Sequence, residues 1–291
     1  MNAKRYKKRK RRFQKLTLTI LLFLTVFWAA PKIISTASGI IYNILDTDND
    51  SSARYQAATP AKLNKDEVKS KLCTLSQKYP EFKNIYKNIN IYPESLLASL
   101  CNTPEMIDFV KGYPDSANTA YGNITKKELS KGIPLLIQWD KRWGYASYGN
   151  SDIGISGCAP TCLSMVISGL TGNKTITPYK IAKFAEKNKY YIEGTGTSWS
   201  IMTDGASSFG ITGTEIPLSK DSIFSHLNNN EPVICSMRPG DFTTAGHFIV
   251  LTKTENGQIK VNDPNSRSRS RLWSYETLEK QIKNLWAFSK S

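Results

Sequence analysis

The spacing of apolar positions along this 291-residue chain changes several times, and each change marks a different kind of element. Over residues 63–130 the spacing is helical but in short stretches. Val68, Leu72, Leu75 and Tyr79 form a first stripe, with Asn64 placed to cap it and Asp66 and Glu67 in its first turn. Pro80-Glu81, Pro93-Glu94 and Pro104-Glu105 then mark three further helix starts, the last with Thr103 as its cap. Phe82, Ile85, Tyr86 and Ile89, then Leu96, Leu97 and Leu100, then Met106, Phe109 and Val110 supply the apolar faces. Helices this short bury themselves only against one another or a neighbouring domain. The region is therefore expected to be a helical stalk or docking bundle; an inhibitory segment lying over a cleft is the sharper alternative.

Residues 131–291 are enough for one domain with its own core. Pro160 suits a first helical turn, and Leu163, Val166, Ile167 and Leu170 continue an apolar face, so a helix is expected from Cys158 to about Leu170. Tyr179, Ile181, Ala182, Phe184 and Ala185 predict a second helix over Pro178–Lys187. Thr195-Gly196-Thr197-Ser198 leads into a third that carries Trp199, Met202 and Ala206. Further on the runs become strand-like: Val233–Met237, with Cys235 expected in the core, then Gly246-His247-Phe248-Ile249-Val250-Leu251 and Ile259–Pro264. The last two are joined by a hairpin turn at Glu255-Asn256-Gly257-Gln258.

Charge changes the picture at the N-terminus. The formal net charge is +15, but nine Lys or Arg and no acid fall within the first fifteen residues, leaving +6 for the rest. This tail, residues 1–15, is followed at once by the uncharged run Leu16 to Ala30, and Ile33 to Leu45 is again uncharged. A basic flank before an apolar span is the pattern of a cytoplasmic N-terminus with the remainder translocated, so membrane binding is expected here and nucleic-acid binding is not. Residues 16–45 are expected to form an uncleaved transmembrane signal anchor with a juxtamembrane segment, which puts the C-terminal domain outside the cell membrane. Secretion after cleavage near Ser35-Thr36-Ala37 is the alternative. Residues 46–62, with Asp46, Asp48 and Asp50, read as an exposed linker.

Cys158 and Cys162 stand four apart on one face of the predicted helix, so spacing alone leaves either open as a nucleophile. Cys158, at the helix N-terminus, meets unpaired N–H groups and the positive end of the dipole, whereas Cys162 has the setting of a packed thiol. A thiolate nucleophile needs a proton shuttle, and histidine changes charge near neutral pH. The chain has two histidines. His226 falls on a short surface helix between Asp221 and Leu227; His247 opens a strand after Thr243, Thr244, Ala245 and Gly246. Reflecting His247 through the turn at Asn256 and Gly257 lands near residue 266, so an asymmetric hairpin brings Asp263 within reach of the ring. Asn262 and Asn265 are neighbouring substitutes, and a plain turn is the other reading of Asn262-Asp263-Pro264.

Four blocks occur in order: Gln138-Trp139-Asp140 with Arg142-Trp143-Gly144, Gly157-Cys158-Ala159-Pro160-Thr161, Gly246-His247-Phe248-Ile249-Val250-Leu251, and Asn262-Asp263-Pro264. With them, the chain from about Ile133 onward resembles the papain-like cysteine peptidases related to the bacteriocin-leader peptidases, family thirty-nine of the cysteine peptidases. The resemblance implies an α+β papain-like fold, in which the helix carrying the nucleophile packs on an antiparallel sheet. It also implies Cys158 as nucleophile, His247 as general base and acid, Asp263 as the group that orients it, and the Gln138 side chain as a donor to the oxyanion. The Trp199 segment would lie near the cleft, unless that tryptophan is simply core. One residue departs from the family pattern, which ordinarily has glycine directly after the nucleophile where this chain has Ala159. If that position needs a positive φ, its methyl group disturbs the oxyanion site.

The expected function is a membrane-anchored, extracytoplasmic cysteine peptidase acting on peptide or protein substrates. A surface binding module that keeps the fold without the chemistry, and an amidase acting on cell-wall peptides, are the alternatives. No Gly-x-x-x-x-Gly-Lys-Ser/Thr loop is present, so the ATP-driven exporter attached to many leader peptidases is expected to be missing. With two histidines and no Cys-x-x-Cys pair, no metal or other cofactor is expected. Cys73 and Cys101, outside the cell on this topology, are open to pairing, though five cysteines do not make a disulfide framework.

Overall fold

The computed structural model describes residues 55–291. The basic tail, the expected anchor and the start of the linker lie outside them. Among the described residues, no helix is long and apolar enough to cross a membrane.

Four helices open the described chain: α1 (Lys65–Lys78), α2 (Lys83–Lys87), α3 (Glu94–Asn102) and α4 (Ile107–Gly112). Asn64 caps α1 as its sequence predicts. Its side-chain oxygen accepts from the N–H groups of Asp66 and Glu67 at 3.0 Å, and the Glu67 carboxylate accepts from the Asn64 N–H at 2.7 Å. Such a cap is typically worth about 1 kcal/mol. Pro80 and Pro104 each begin a single 3₁₀ turn that leads into α2 and α4, and Pro93 directly precedes α3. Thr103, expected to cap the third start, makes no capping bond. Its hydroxyl accepts from Arg269 Nη2 at 3.4 Å instead. Of residues 55–62, expected within an exposed linker, most are exposed and outside any helix or strand, but Tyr55 is buried edge-on against Tyr79 and Phe82, with ring centroids 4.9 and 5.8 Å away. Cys73 and Cys101 are free thiols, and burial pushes Cys101 up to about 11.

The core of these helices does not close on itself. Leu72, Phe82, Ile85, Leu96, Leu100 and Phe109 pack in one body with Ile137, Trp139 and Tyr145. The Phe109 and Tyr145 rings stack at 4.4 Å. Apolar residues on both sides of Gln138 therefore belong to the helical region's core.

The turn that carries Gln138 is locked by ions. Arg142 Nη2 donates to Asp140 and Glu128 carboxylate oxygens at 2.7 Å each, and Trp143 Nε1 donates to the Ile137 carbonyl at 2.8 Å. Burial works to raise the Asp140 carboxyl, but the Arg142 guanidinium holds it below the usual carboxylate range. A β-carbon at Gly144 would stand 2.8 Å from Phe109 and 2.9 Å from the Asp140 carbonyl, so only glycine fits. These contacts are the physical content of Asp140, Arg142, Trp143 and Gly144. Arg142→Ala leaves Asp140 buried without its main partner. It is expected to lower stability by about 3 to 5 kcal/mol, read by urea unfolding; a loss below about 1 kcal/mol contradicts the role.

The rest of the chain contains α5 (Lys126–Leu129), the small hairpin β1 (Ser147–Tyr148) and β2 (Ser151–Asp152), α6 (Ile153–Ser156), α7 (Cys158–Thr171) and α8 (Pro178–Lys187). A second small hairpin, β3 (Tyr191–Ile192) and β4 (Gly196–Thr197), precedes α9 (Asp204–Ser207). Then follow β5 (Ile211–Glu215), α10 (Lys220–Asn228), β6 (Val233–Met237), β7 (His247–Glu255), β8 (Gln258–Asn262), β9 (Leu272–Trp273), α11 (Tyr275–Leu278) and β10 (Ile282–Lys290). Strands β5 to β10 form one antiparallel sheet in the order β5-β10-β6-β7-β8-β9. The helix expected to carry Trp199, Met202 and Ala206 is instead a 3₁₀ turn, Trp199–Met202, followed by the separate single turn α9.

The sheet alternates between two cores, as period-two side chains require. Ile234, Phe248, Val250, Trp286 and Phe288 pack with α7 and α8, whereas Cys235, Ile249, Leu251, Val261 and Leu285 pack with Ile223 and Leu227 of α10. Helix α7 thus lies against one face of the sheet with Cys158 as its first residue.

Candidate active site

Three local features bring the predicted residues together. The short helix α6 ends at Ser156, and the Gly157 N–H closes on the Ile153 carbonyl at 2.8 Å, so that α7 begins at Cys158. A β-carbon on Gly157 would meet that same carbonyl at 2.5 Å, and glycine is required. Pro160 has no N–H and the Thr161 N–H bonds to the Gly157 carbonyl at 3.0 Å. The Cys158 and Ala159 N–H groups are therefore the first-turn donors that lack an intrahelical partner. Ala159 is helical, its φ is not positive, and it is buried as part of the core that includes α7. The positive φ that would make a methyl group disruptive at this position is therefore absent.

The second feature is a bulge. Strands β7 and β8 pair Glu255 with Gln258 and Lys253 with Lys260, but then Leu251 with Val261, which leaves Thr252 as an extra residue. The hairpin is asymmetric, as the approach of Asp263 to His247 demands. The third is the turn after β8, where Asp263 bridges to Ser266 and curls out of the ladder. His247 Nε2 and Asp263 Oδ1 are 2.7 Å apart, with His247 7% and Asp263 0% exposed. With Nε2 occupied, Nδ1 is the ring nitrogen left for Cys158, which lies close enough to favour the charged ring.

Burial works against the imidazolium, but the charge and hydrogen bond of Asp263, helped by Cys158, outweigh it and raise His247 to about 9. Burial also works to raise Asp263; the charges of His247 and Arg269 hold it below the usual carboxylate range. Burial sends the Cys162 thiol well above the ordinary cysteine value, with Cys158 and Asp263 adding to it. Cys235 is likewise pushed up by burial. Of the three thiols from Cys158 onward, Cys158 alone is not buried. Near it, Tyr148 pairs with Thr197 Oγ1 at 2.7 Å, and burial pushes the phenol up to about 12.

Gln138 is 3% exposed, and its side-chain nitrogen donates to the Gly154 and Ile155 carbonyls at 3.0 and 3.2 Å. Its Oε1 is buried without a hydrogen-bond partner. The amide is therefore oriented with nitrogen toward the turn that leads into Cys158. His226 is elsewhere, paired with Glu231 at the end of α10. Asn262 donates to the Ile133 and Pro134 carbonyls and is not an orienter, and Asn265 reaches Asp263 only through its backbone N–H at 2.8 Å.

Sequence reasoning missed Arg269. Its Nε donates to Asp263 Oδ2 at 2.7 Å, and its side chain is 5% exposed. It sits in Ser266-Arg267-Ser268-Arg269-Ser270-Arg271, whose alternation of serine and arginine reads as a solvated basic loop. The available signal was proximity in sequence to the aspartate expected to orient His247. Trp199 is 38% exposed and lies edge-on to Trp286 at 5.5 Å, with Lys283 Nζ 5.2 Å from its ring centre.

A cysteine opening a helix, and a histidine held by a buried aspartate on the adjoining sheet, make up the equipment of a cysteine hydrolase. The model of the Peptidase_C39 like family matches residues 130–290, more than half of the chain. The chain belongs to that family and carries a cysteine peptidase domain. No curated protein matches it. Similar solved structures include the peptidase domain of Streptococcus ComA, a bifunctional ABC transporter of a quorum-sensing pathway, at 19% identity and a TM-score of 0.35 over 45% of this chain and 93% of that one. A protein described as a C39-like peptidase from Bacillus anthracis matches at 12% identity and a TM-score of 0.37, over 58% and 98%. A double glycine motif protease from an AMS/PCAT transporter, solved with its leader peptide, matches at 11% and 0.32, again over 58% and 98%.

Proposed function

We propose that this cysteine peptidase hydrolyses peptide bonds through Cys158, His247 and Asp263. The observation that carries the reading is a buried His247 with one ring nitrogen on Asp263 and the other free for Cys158. His247 takes the Cys158 thiol proton as the sulfur bonds to the substrate carbonyl carbon, and the charge that develops on oxygen is met by the Cys158 N–H. On substrate binding it is also met by one Gln138 N–H released from Gly154 or Ile155. Each such donor is worth about 2.7 to 4 kcal/mol in a preorganised site. The imidazolium of His247 then gives its proton to the leaving amine as the C–N bond breaks. Water, deprotonated by His247, attacks the thioester, and the acid leaves with the sulfur returned to its starting state. Asp263 keeps the ring in the orientation this exchange requires.

The basic tail and apolar run of residues 1–45 support an outward-facing enzyme on a single anchor. Protease accessibility on intact cells tests that part: the peptidase domain is cleaved without lysis if it faces outward and protected if it does not. The chemistry is tested with iodoacetamide. Cys158 is expected to be alkylated at least about a hundredfold faster than the buried Cys235 near pH 7, and its own rate to fall about tenfold or more in His247→Ala. A Cys158 rate that His247→Ala leaves unchanged points instead to a binding module on the same fold.

A further inference from the structure

Glu105 is a buried carboxylate that the chemistry above does not use. It is 1% exposed and lies in the Pro104–Met106 turn of the helical region, outside the residues that the family model matches. Among the described residues, every donor it meets comes from one loop of the peptidase domain. It accepts from the Ser266 hydroxyl, from the Arg267 N–H at 3.0 Å, and from the N–H and hydroxyl of Ser268 at 3.4 and 3.1 Å.

That loop begins at Asp263. The Ser266 N–H returns to the Asp263 carbonyl at 3.2 Å, the Asp263 N–H donates to Ser270 Oγ at 2.9 Å, and the Arg269 N–H donates to Ser266 Oγ at 3.1 Å. The loop is closed on itself by polar bonds, and no aliphatic or aromatic side chain between Pro264 and Arg271 anchors it to either core. Its placement depends on what ties it to neighbouring elements. Glu105 is the only charged group of the helical region seen on it among the described residues. It is joined there by Thr103 and the Ala58 carbonyl on Arg269 and by the Ala57 N–H on Ser268 Oγ. On the other side Trp139 Nε1 donates to the Asn265 carbonyl at 3.0 Å and the Gln138 N–H to the Pro264 carbonyl at 2.7 Å. Trp139 itself is held in the helical region's core.

We infer that Glu105 is a positioning residue for the active site: it fixes the 264–270 loop so that Asp263 and Arg269 hold His247 against Cys158. The helical region is thereby a working part of the peptidase. The inference rests on the Cys158–His247–Asp263 reading. On this reading the region supports the loop that bears the orienting carboxylate, a role different from that of an inhibitory segment.

The test uses the full chain. Glu105→Gln keeps the shape but sets an amide against the Arg267 N–H, and Ser268→Ala removes one donor with little effect on the core. Two readouts are taken: the iodoacetamide rate at Cys158, and the titration of the His247 ring by NMR, which two histidines in the chain make assignable. Glu105→Gln is expected to slow alkylation about tenfold, as a small misplacement of reacting groups does. It is also expected to move the His247 midpoint down from about 9 by about one unit or more as Asp263 loosens. Ser268→Ala moves both in the same direction by less, and decides the matter if Glu105→Gln does not fold. A folded Glu105→Gln with an unmoved His247 midpoint overturns the inference, even if its melting temperature falls, because a merely structural residue gives that result. A Cys158 alkylation rate that is the same in the unmodified protein and in His247→Ala overturns the parent reading instead, whatever Glu105→Gln does.

Discussion

Cys158→Ala is expected to abolish peptide hydrolysis, with kcat/KM falling about a million-fold, the scale on which removal of the nucleophile acts in hydrolases with a covalent intermediate. The size follows from the two-step route: without sulfur no thioester forms, and His247 is left with no acid-base partner on the attacking side. Cys162→Ala is the matched control. Cys162 lies one turn deeper on the same helix face, fully buried, with its thiol driven well above the ordinary range. Its replacement removes one sulfur from the core and is expected to leave kcat/KM within about tenfold, at a stability cost of about 1 kcal/mol. Hydrolysis of a defined peptide library followed by mass spectrometry distinguishes the two. Retained turnover in Cys158→Ala, or its loss in Cys162→Ala alone, reverses the assignment of the nucleophile.

What the sequence shows of this site follows from how local each feature is. Pro160 with a three-and-four apolar stripe places Cys158 at a helix start because both signals lie within one turn of each other. The hairpin turn at Asn256-Gly257 is equally local, since Asn256 and Gly257 both adopt positive φ there. The bulge at Thr252 is different: nothing in Leu251-Thr252-Lys253 announces an extra residue, and symmetric reflection places residue 266 opposite His247. Strand β10 escapes the pattern because Lys283 and Asn284 interrupt its alternation where its register to β6 shifts, although it lies between β5 and β6 in the sheet. Arg269 and Glu105 are hidden for a related reason. A buried charge is legible only through its partner, and Glu105 finds its partners more than 160 residues away. Pro104-Glu105 and Ser266-Arg267 look like an ordinary helix start and an ordinary basic turn until the fold sets one on the other.

Asp263→Asn is expected to lower kcat about ten-thousandfold, as the corresponding change does in serine-protease triads, while leaving the fold intact. An amide cannot neutralise the imidazolium, and nothing else seen on Nε2 takes its place. The loss should therefore carry a pH signature. In the unmodified protein His247 stands at about 9 against an ordinary 6.5, because the Asp263 charge overcomes burial. Activity on the alkaline side, which needs the imidazolium to protonate the leaving amine, should decline near pH 9, with the apparent value belonging to the coupled pair. In Asp263→Asn that limb should fall toward or below 6.5. Stability responds with a fixed sign: a folded value above the unfolded one gives stabilisation that is complete below pH 6.5 and lost as the pH rises through about 9. The melting temperature of the unmodified protein should therefore slope downward across that window, and the slope should flatten in Asp263→Asn. An unshifted alkaline limb in the variant, with its melting curve still sloping, means that a group other than Asp263 holds the proton on His247.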